Sequence, residues 1–163
     1  PFCYLMFAAS GGLLANLFLM SIFGQYTSSS IYKFLSFLIL LTWFIKFAWW
    51  RNLDTNISKS NLSTATGLGS FGEIRSLMPP HTSENYLQKE MGFVIARRHA
   101  IKLRFISVVL GGIIPLIIII PGTLSSVLLG FALVSHLIGV FIERWLFFAE
   151  AKHIVSLYYG KSI

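Results

Sequence analysis

His136, Glu143 and Glu150 recur at seven-residue intervals through an otherwise apolar stretch, and Arg144 stands beside the first carboxylate. On a helix of 3.6 residues per turn, positions seven apart are only about 20° out of register, so the three side chains fall nearly on one line, with Gly139 between. An imidazole followed by two carboxylates could move protons from within an apolar layer toward water, or could hydrogen-bond a redox ligand. Each residue also has a plainer reading. His136 could simply bond a neighbouring helix. Glu143 and Arg144, about 100° apart around the helix, could form an interfacial pair or two separate snorkelling contacts. Counted from Thr123 at 1.5 Å per residue, His136 lies about 20 Å and Glu143 about 30 Å along the helix, which puts Glu143 near the far edge of the hydrocarbon.

A second charged line precedes the third apolar run. Glu90, Arg97 and Arg104 recur every seven residues, either as a solvated face with snorkelling arginines or as a wall that binds an anion, a carbonyl or a partner. Arg98, His99, Glu150 and Lys152 are candidates for docking a partner subunit. His99 points away from Glu90 on that helix, and His81 and His153 read as surface residues. Cys3 is the sole cysteine, which excludes an intrachain disulfide, a CxxCH haem attachment and a cysteine-ligated iron–sulfur cluster. Only His136 is clearly intramembrane, so a haem with two axial histidines is not expected and no metal site is assigned.

The elements that must position these groups are membrane helices. Of 163 residues, 55% are hydrophobic, 15% aromatic and only 12% charged. Four stretches approach or exceed the roughly 20 apolar residues needed to cross a bilayer: Phe2 to Phe23, Phe34 to Trp50, Ile101 to Ile120 and Leu124 to Phe148. They are continuous rather than alternating and too long for membrane strands, so the expected fold is an all-α, four-span bundle forming one membrane domain. Arginine and lysine concentrate in the polar segment 51–100 and after the fourth span, which places that segment and the C-terminus in the cytoplasm by the positive-inside rule. The net charge of +7 is then juxtamembrane bias toward anionic lipid and requires no nucleic-acid partner.

Finer features give further expectations. Ala8, Gly11, Gly12 and Ala15 in the first span, and Gly111 and Gly112 in the third, should allow close helix approach. Pro115 should interrupt the third helix, and Pro121-Gly122 should turn the chain into the fourth. Lys46 should snorkel to the headgroups, with Trp43, Trp49, Trp50 and Trp145 in interfacial belts. Gly67, Gly69 and Gly72 spell a GxGxxG, but a polar run precedes them and Pro79-Pro80 follows, so the strand and helix of a dinucleotide site are missing. A helix is expected from about Ser83 into the third span, with Leu87, Met91, Val94 and Ile95 on one face.

Two strings, "ATGLGSFGEIRSLMPPHTSENYLQKEMGFVIARRHAIKLR" and "ERWLFFAEAKHIVSLYYG", resemble the membrane anchor subunit of anaerobic dimethyl sulfoxide reductases. The remainder matches only as apolar helices, and the chain resembles the C-terminal half of such an anchor. The resemblance implies a bacterial inner-membrane complex with a molybdenum-cofactor catalytic subunit and a four-cluster iron–sulfur subunit. The anchor, itself non-catalytic and free of metal, would bind menaquinol and pass its electrons to the clusters. The acidic residue tied to quinol oxidation in the family has no counterpart in this chain. His136, Glu143, Arg144, Arg97, Arg104 and Glu90 are therefore candidates for quinol binding or proton transfer. The competing expectation is a non-redox membrane protein, half of a transporter or an assembly factor.

Overall fold

The computed structural model describes residues 2–55, 62–72, 74, 96, 98–122 and 125–151. All regular structure among them is helical, and four helices are long and apolar enough to cross a membrane: Phe2–Ile22, Ser29–Thr55, Ala100–Ile119 and Ser126–Ala149. We label the first two α1 and α2, and the short helix Leu62–Thr66 α3. The third span is composite: α4 (Ala100–Val108), a π-helical turn (Val109–Ile113) and α5 (Ile114–Ile119). The fourth span is α6 (Ser126–Ala149). The chain is a polytopic membrane protein, all-helical among the described residues.

The helices differ most from the expected spans where polar turns extend an apolar run. α2 begins at Ser29 rather than Phe34 and continues past Trp50 to Thr55. Hydropathy discards "RNLDT", but nothing in that string breaks a helix, since it lacks proline and glycine. The turn after the third span uses Gly122 at φ +74°, its N–H donating to the Ile119 carbonyl at 3.0 Å, as Pro121-Gly122 required. Gly67 ends α3 at φ +70° with its N–H on Ser63. A helix rather than a strand therefore precedes the GxGxxG, which removes the dinucleotide reading on structural grounds.

α6 is the centre of the bundle and packs on α1 and on every part of the third span, while α2 packs on α1 and touches the π turn and α5. Leu14, Leu17, Leu35, Ile39, Ile119, Leu129 and Ala132 form the closed interior, and Phe34, Phe44, Phe131 and Phe141 point outward. Since both faces are apolar, hydrophobicity does not distinguish them; close packing does. Gly139 of α6 lies against the backbone of Gly111, and a side chain at 139 would overlap it. Gly11 abuts the His136 ring, whereas Ala8 and Gly12, expected to serve a helix contact too, face outward. The α1 contact therefore uses only one of the two small-residue pairs.

Candidate functional site

Chain direction gathers the charges. α1 and α4 begin, and α2 and α6 end, at one end of the bundle, so residues distant in sequence share that end. There the Lys46 ammonium of α2 forms an ion pair with Glu143 of α6, whose other oxygen takes Arg144 Nε at 2.6 Å. Lys46 is 2% exposed and Glu143 0%. The two cations are also enclosed by rings: Lys46 Nζ lies 3.8 Å from the Trp49 ring centre, and the Arg144 guanidinium carbon 3.7 Å from that of Tyr4. A desolvated cation over an aromatic face gains about 2 kcal/mol, which offsets part of the cost of burying two positive charges against one carboxylate.

Lys46 thus does not snorkel. Its stem is long enough to reach either the headgroups or the bundle axis, and Glu143 supplies the counter-charge that makes the inward position favourable. Trp43 and Trp50 also leave their expected belts for the interior, each 5% exposed. Trp43 lies over the Gly111-Gly112 notch, where a Cβ at 112 would come within 2.7 Å of its Nε1, and its ring meets Phe7 edge-on at 5.3 Å. Two adjacent glycines in the third span provide the hollow that a buried indole needs.

A second cluster lies toward water. Arg104 makes a two-pronged pair with Asp54 at 2.7 and 2.9 Å and directs Nε to Glu150 at 2.9 Å, tying α4 to the ends of α2 and α6. Asp54 is 56% exposed and Glu150 8%. The guanidinium also lies 5.3 Å from Trp50, the residue that Lys46 approaches at 5.1 Å. Trp50 therefore stands between the two clusters.

His136 serves a different purpose. Pro115 has no N–H to give the Gly111 carbonyl in α register or the Leu110 carbonyl in π register, and the Ile114 N–H is already on Val109. Ser135 Oγ donates to the Leu110 carbonyl at 2.7 Å, and His136 Nδ1 donates to that of Gly111 at 2.6 Å. Consecutive residues of α6 thus occupy the consecutive carbonyls that the break in the third span releases. With Nδ1 carrying the proton, Nε2 holds the lone pair and is buried without a hydrogen-bond partner among the described residues.

The structure brings Glu143, Arg144, Arg104 and Glu150 to one end and sets His136 apart on the same buried stripe of α6, with Gly139 between. The line exists, but its members bond to other helices rather than to each other, so it forms three polar stations and no continuous chain. Glu143 and Arg144 do meet, the pair rather than the two separate contacts, because the long guanidinium stem curls back to its neighbour. Arg98 and His99 are exposed just before α4. Glu90, Arg97, Lys152 and the helix expected from Ser83 lie outside the described residues. Lys46, Asp54 and Ser135 are site residues that the sequence reading missed. Lys46 had a signal, as the one charge inside the apolar run 34–50. No group of three or more His, Cys, Asp or Glu among the described residues could hold a metal. Comparison with protein-family models, curated proteins and solved structures returns no match to this chain.

Proposed function

We propose that this chain is the membrane anchor of a molybdoenzyme complex in a bacterial inner membrane, non-catalytic itself. It would bind menaquinol and deliver its electrons to an iron–sulfur subunit for reduction of dimethyl sulfoxide or a related S- or N-oxide in anaerobic respiration. The two sequence strings supply the family likeness. The observation that carries the reading is the gradation of carboxylates at one end of the bundle, from Glu143 at 0% exposure through Glu150 to Asp54 at 56%. A quinol loses two protons as it loses two electrons, and its site needs a proton acceptor with access to water beside an apolar slot. The electrons leave to clusters in the partner, which docks on this charged end.

The broken third span is the feature that would favour a transporter, since carbonyls released in an interrupted helix can coordinate an ion. Here Ser135 and His136 occupy both. The deciding experiment is purification of tagged full-length protein from anaerobically grown membranes, followed by metal analysis and quinol-driven S-oxide reduction. Molybdenum, iron–sulfur clusters and turnover are expected. A stable preparation lacking all three would overturn the anchor reading. Because Glu143→Gln also strands the cations that Glu143 holds, turnover is read per assembled complex: it should fall when Glu143 carries protons, whereas unchanged turnover per complex with poor recovery would assign Glu143 to holding the bundle or its partner together.

A further inference from the structure

Beside the second ion cluster, α2 and α4 diverge to leave a groove of about 640 Å³, within the range of roughly 300–1,000 Å³ typical of small-ligand sites. Phe47, Phe105 and Val108 make its apolar walls and Trp50 lies along it. Phe47 is 50% and Phe105 69% exposed, so the groove opens sideways on the face that the surrounding hydrocarbon covers. Its polar end holds Arg51, Asp54 and Arg104.

The charges at that end are unequally engaged. Arg104 directs Nε, Nη1 and Nη2 to carboxylates, and Asp54 is neutralised by two of those contacts. Arg51 is exposed and forms no ion pair among the described residues, so among them the groove's end carries one guanidinium without a carboxylate partner. A guanidinium binds a phosphate through two parallel N–H donors. An apolar slot opening to hydrocarbon, closed at the water-facing end by such a cation, is complementary to a phospholipid with one acyl chain in the slot. Among the described residues lining the groove, a headgroup ammonium would find no carboxylate other than Asp54, which is committed to Arg104. An anionic headgroup fits better than a zwitterionic one.

We infer that the α2/α4 groove is a binding site for an anionic phospholipid, its phosphate on Arg51 and its acyl chain between Phe47 and Phe105. The groove shares Asp54 and Arg104 with the charged end of the quinol reading, but its phosphate contact, Arg51, and its slot, Phe47 and Phe105, play no part in that reading. It is tested by native mass spectrometry of the full-length protein released from mixed micelles containing equal phosphatidylglycerol and phosphatidylcholine. The wild type should retain phosphatidylglycerol in preference to phosphatidylcholine. Arg51→Gln should reduce that preference about tenfold, as loss of a charge-assisted contact predicts. Lys33→Gln, which removes the same charge at the opposite end of α2, should leave it intact. Val108→Phe, which fills the slot, should lower retention of both lipids. Equal retention of the two lipids by the wild type, an unchanged preference in Arg51→Gln, or an equal loss in Lys33→Gln would overturn the assignment. So would displacement of the phospholipid by an equimolar neutral quinone.

Discussion

Lys46 and Glu143 form a buried ion pair that joins the second and fourth spans, and Arg144 adds a second cation to the same carboxylate. One anion thus holds two cations inside an apolar bundle. The three charges are unequal in consequence: removing a cation leaves a balanced pair, whereas removing the anion leaves the buried Lys46 ammonium and the partly buried Arg144 guanidinium without their shared counter-charge.

That asymmetry predicts the order of two substitutions. Glu143→Gln should destabilise by about 3–5 kcal/mol, the cost of stranding a buried charge. Lys46→Met retains the Glu143–Arg144 pair and refills the stem volume, so it should cost only about 1–3 kcal/mol. Unfolding by denaturant titration in micelles, followed by circular dichroism, measures both. A Lys46→Met loss equal to or larger than that of Glu143→Gln would refute the shared-anion arrangement.

The glycines divide in the same way. A Cβ at Gly139 would overlap the Gly111 backbone and approach the Ser107 carbonyl to 2.8 Å, neither of which can yield as a flexible side chain would. Gly139→Ala should therefore separate the third and fourth spans and cost about 1–3 kcal/mol or more. At Gly12 a Cβ meets nothing within 4 Å, so Gly12→Ala should change stability by less than about 0.5 kcal/mol. Thermal melting of the two variants in one detergent compares them directly, and similar melting points would contradict the packing.

The number and class of the membrane spans were legible because crossing hydrocarbon imposes a length and a composition that few other folds share. The inward faces were not. In a chain apolar on all sides, periodicity gives no sign of which side of α1 meets α6, and Ala8/Gly12 looked as suitable as Gly11/Ala15. Side-chain direction was also hidden for Lys46 and Trp43, whose sequence positions fit an interface equally well. What decides them is a partner from another helix, Glu143 in one case and the Gly111-Gly112 notch in the other. His136 was recognisable as polar glue, yet its partner followed only from the combination of Pro115 with the π turn.

Arg104 links one exposed and one sheltered carboxylate, so its two pairs should differ in strength. Asp54→Asn removes a solvent-screened partner and should cost about 0.2–1 kcal/mol despite its two-pronged geometry. Glu150→Gln removes the sheltered partner and should cost more, about 1–3 kcal/mol. Both can be read from chemical unfolding at low and at high salt. Added salt should weaken the Asp54 contribution and leave that of Glu150 largely unchanged. A larger loss for Asp54→Asn than for Glu150→Gln would show that the exposed pair carries the link.

His136 and Pro115 should be energetically coupled although neither touches the other through a side-chain hydrogen bond. His136→Phe leaves the Gly111 carbonyl buried and unpaired and should cost about 1–3 kcal/mol. Pro115→Ala restores the missing N–H, allowing the third span to return to α register and serve that carbonyl from within its own helix. In the Pro115→Ala background, His136→Phe should therefore cost less, with a coupling of about 1 kcal/mol in the double-mutant cycle. Ser135→Ala should couple to Pro115 in the same direction, because a return to α register frees the Ile114 N–H from Val109 and supplies it to Leu110. Additive effects for both pairs would mean that the π turn persists without the proline, and that its origin lies in the Trp43 notch instead.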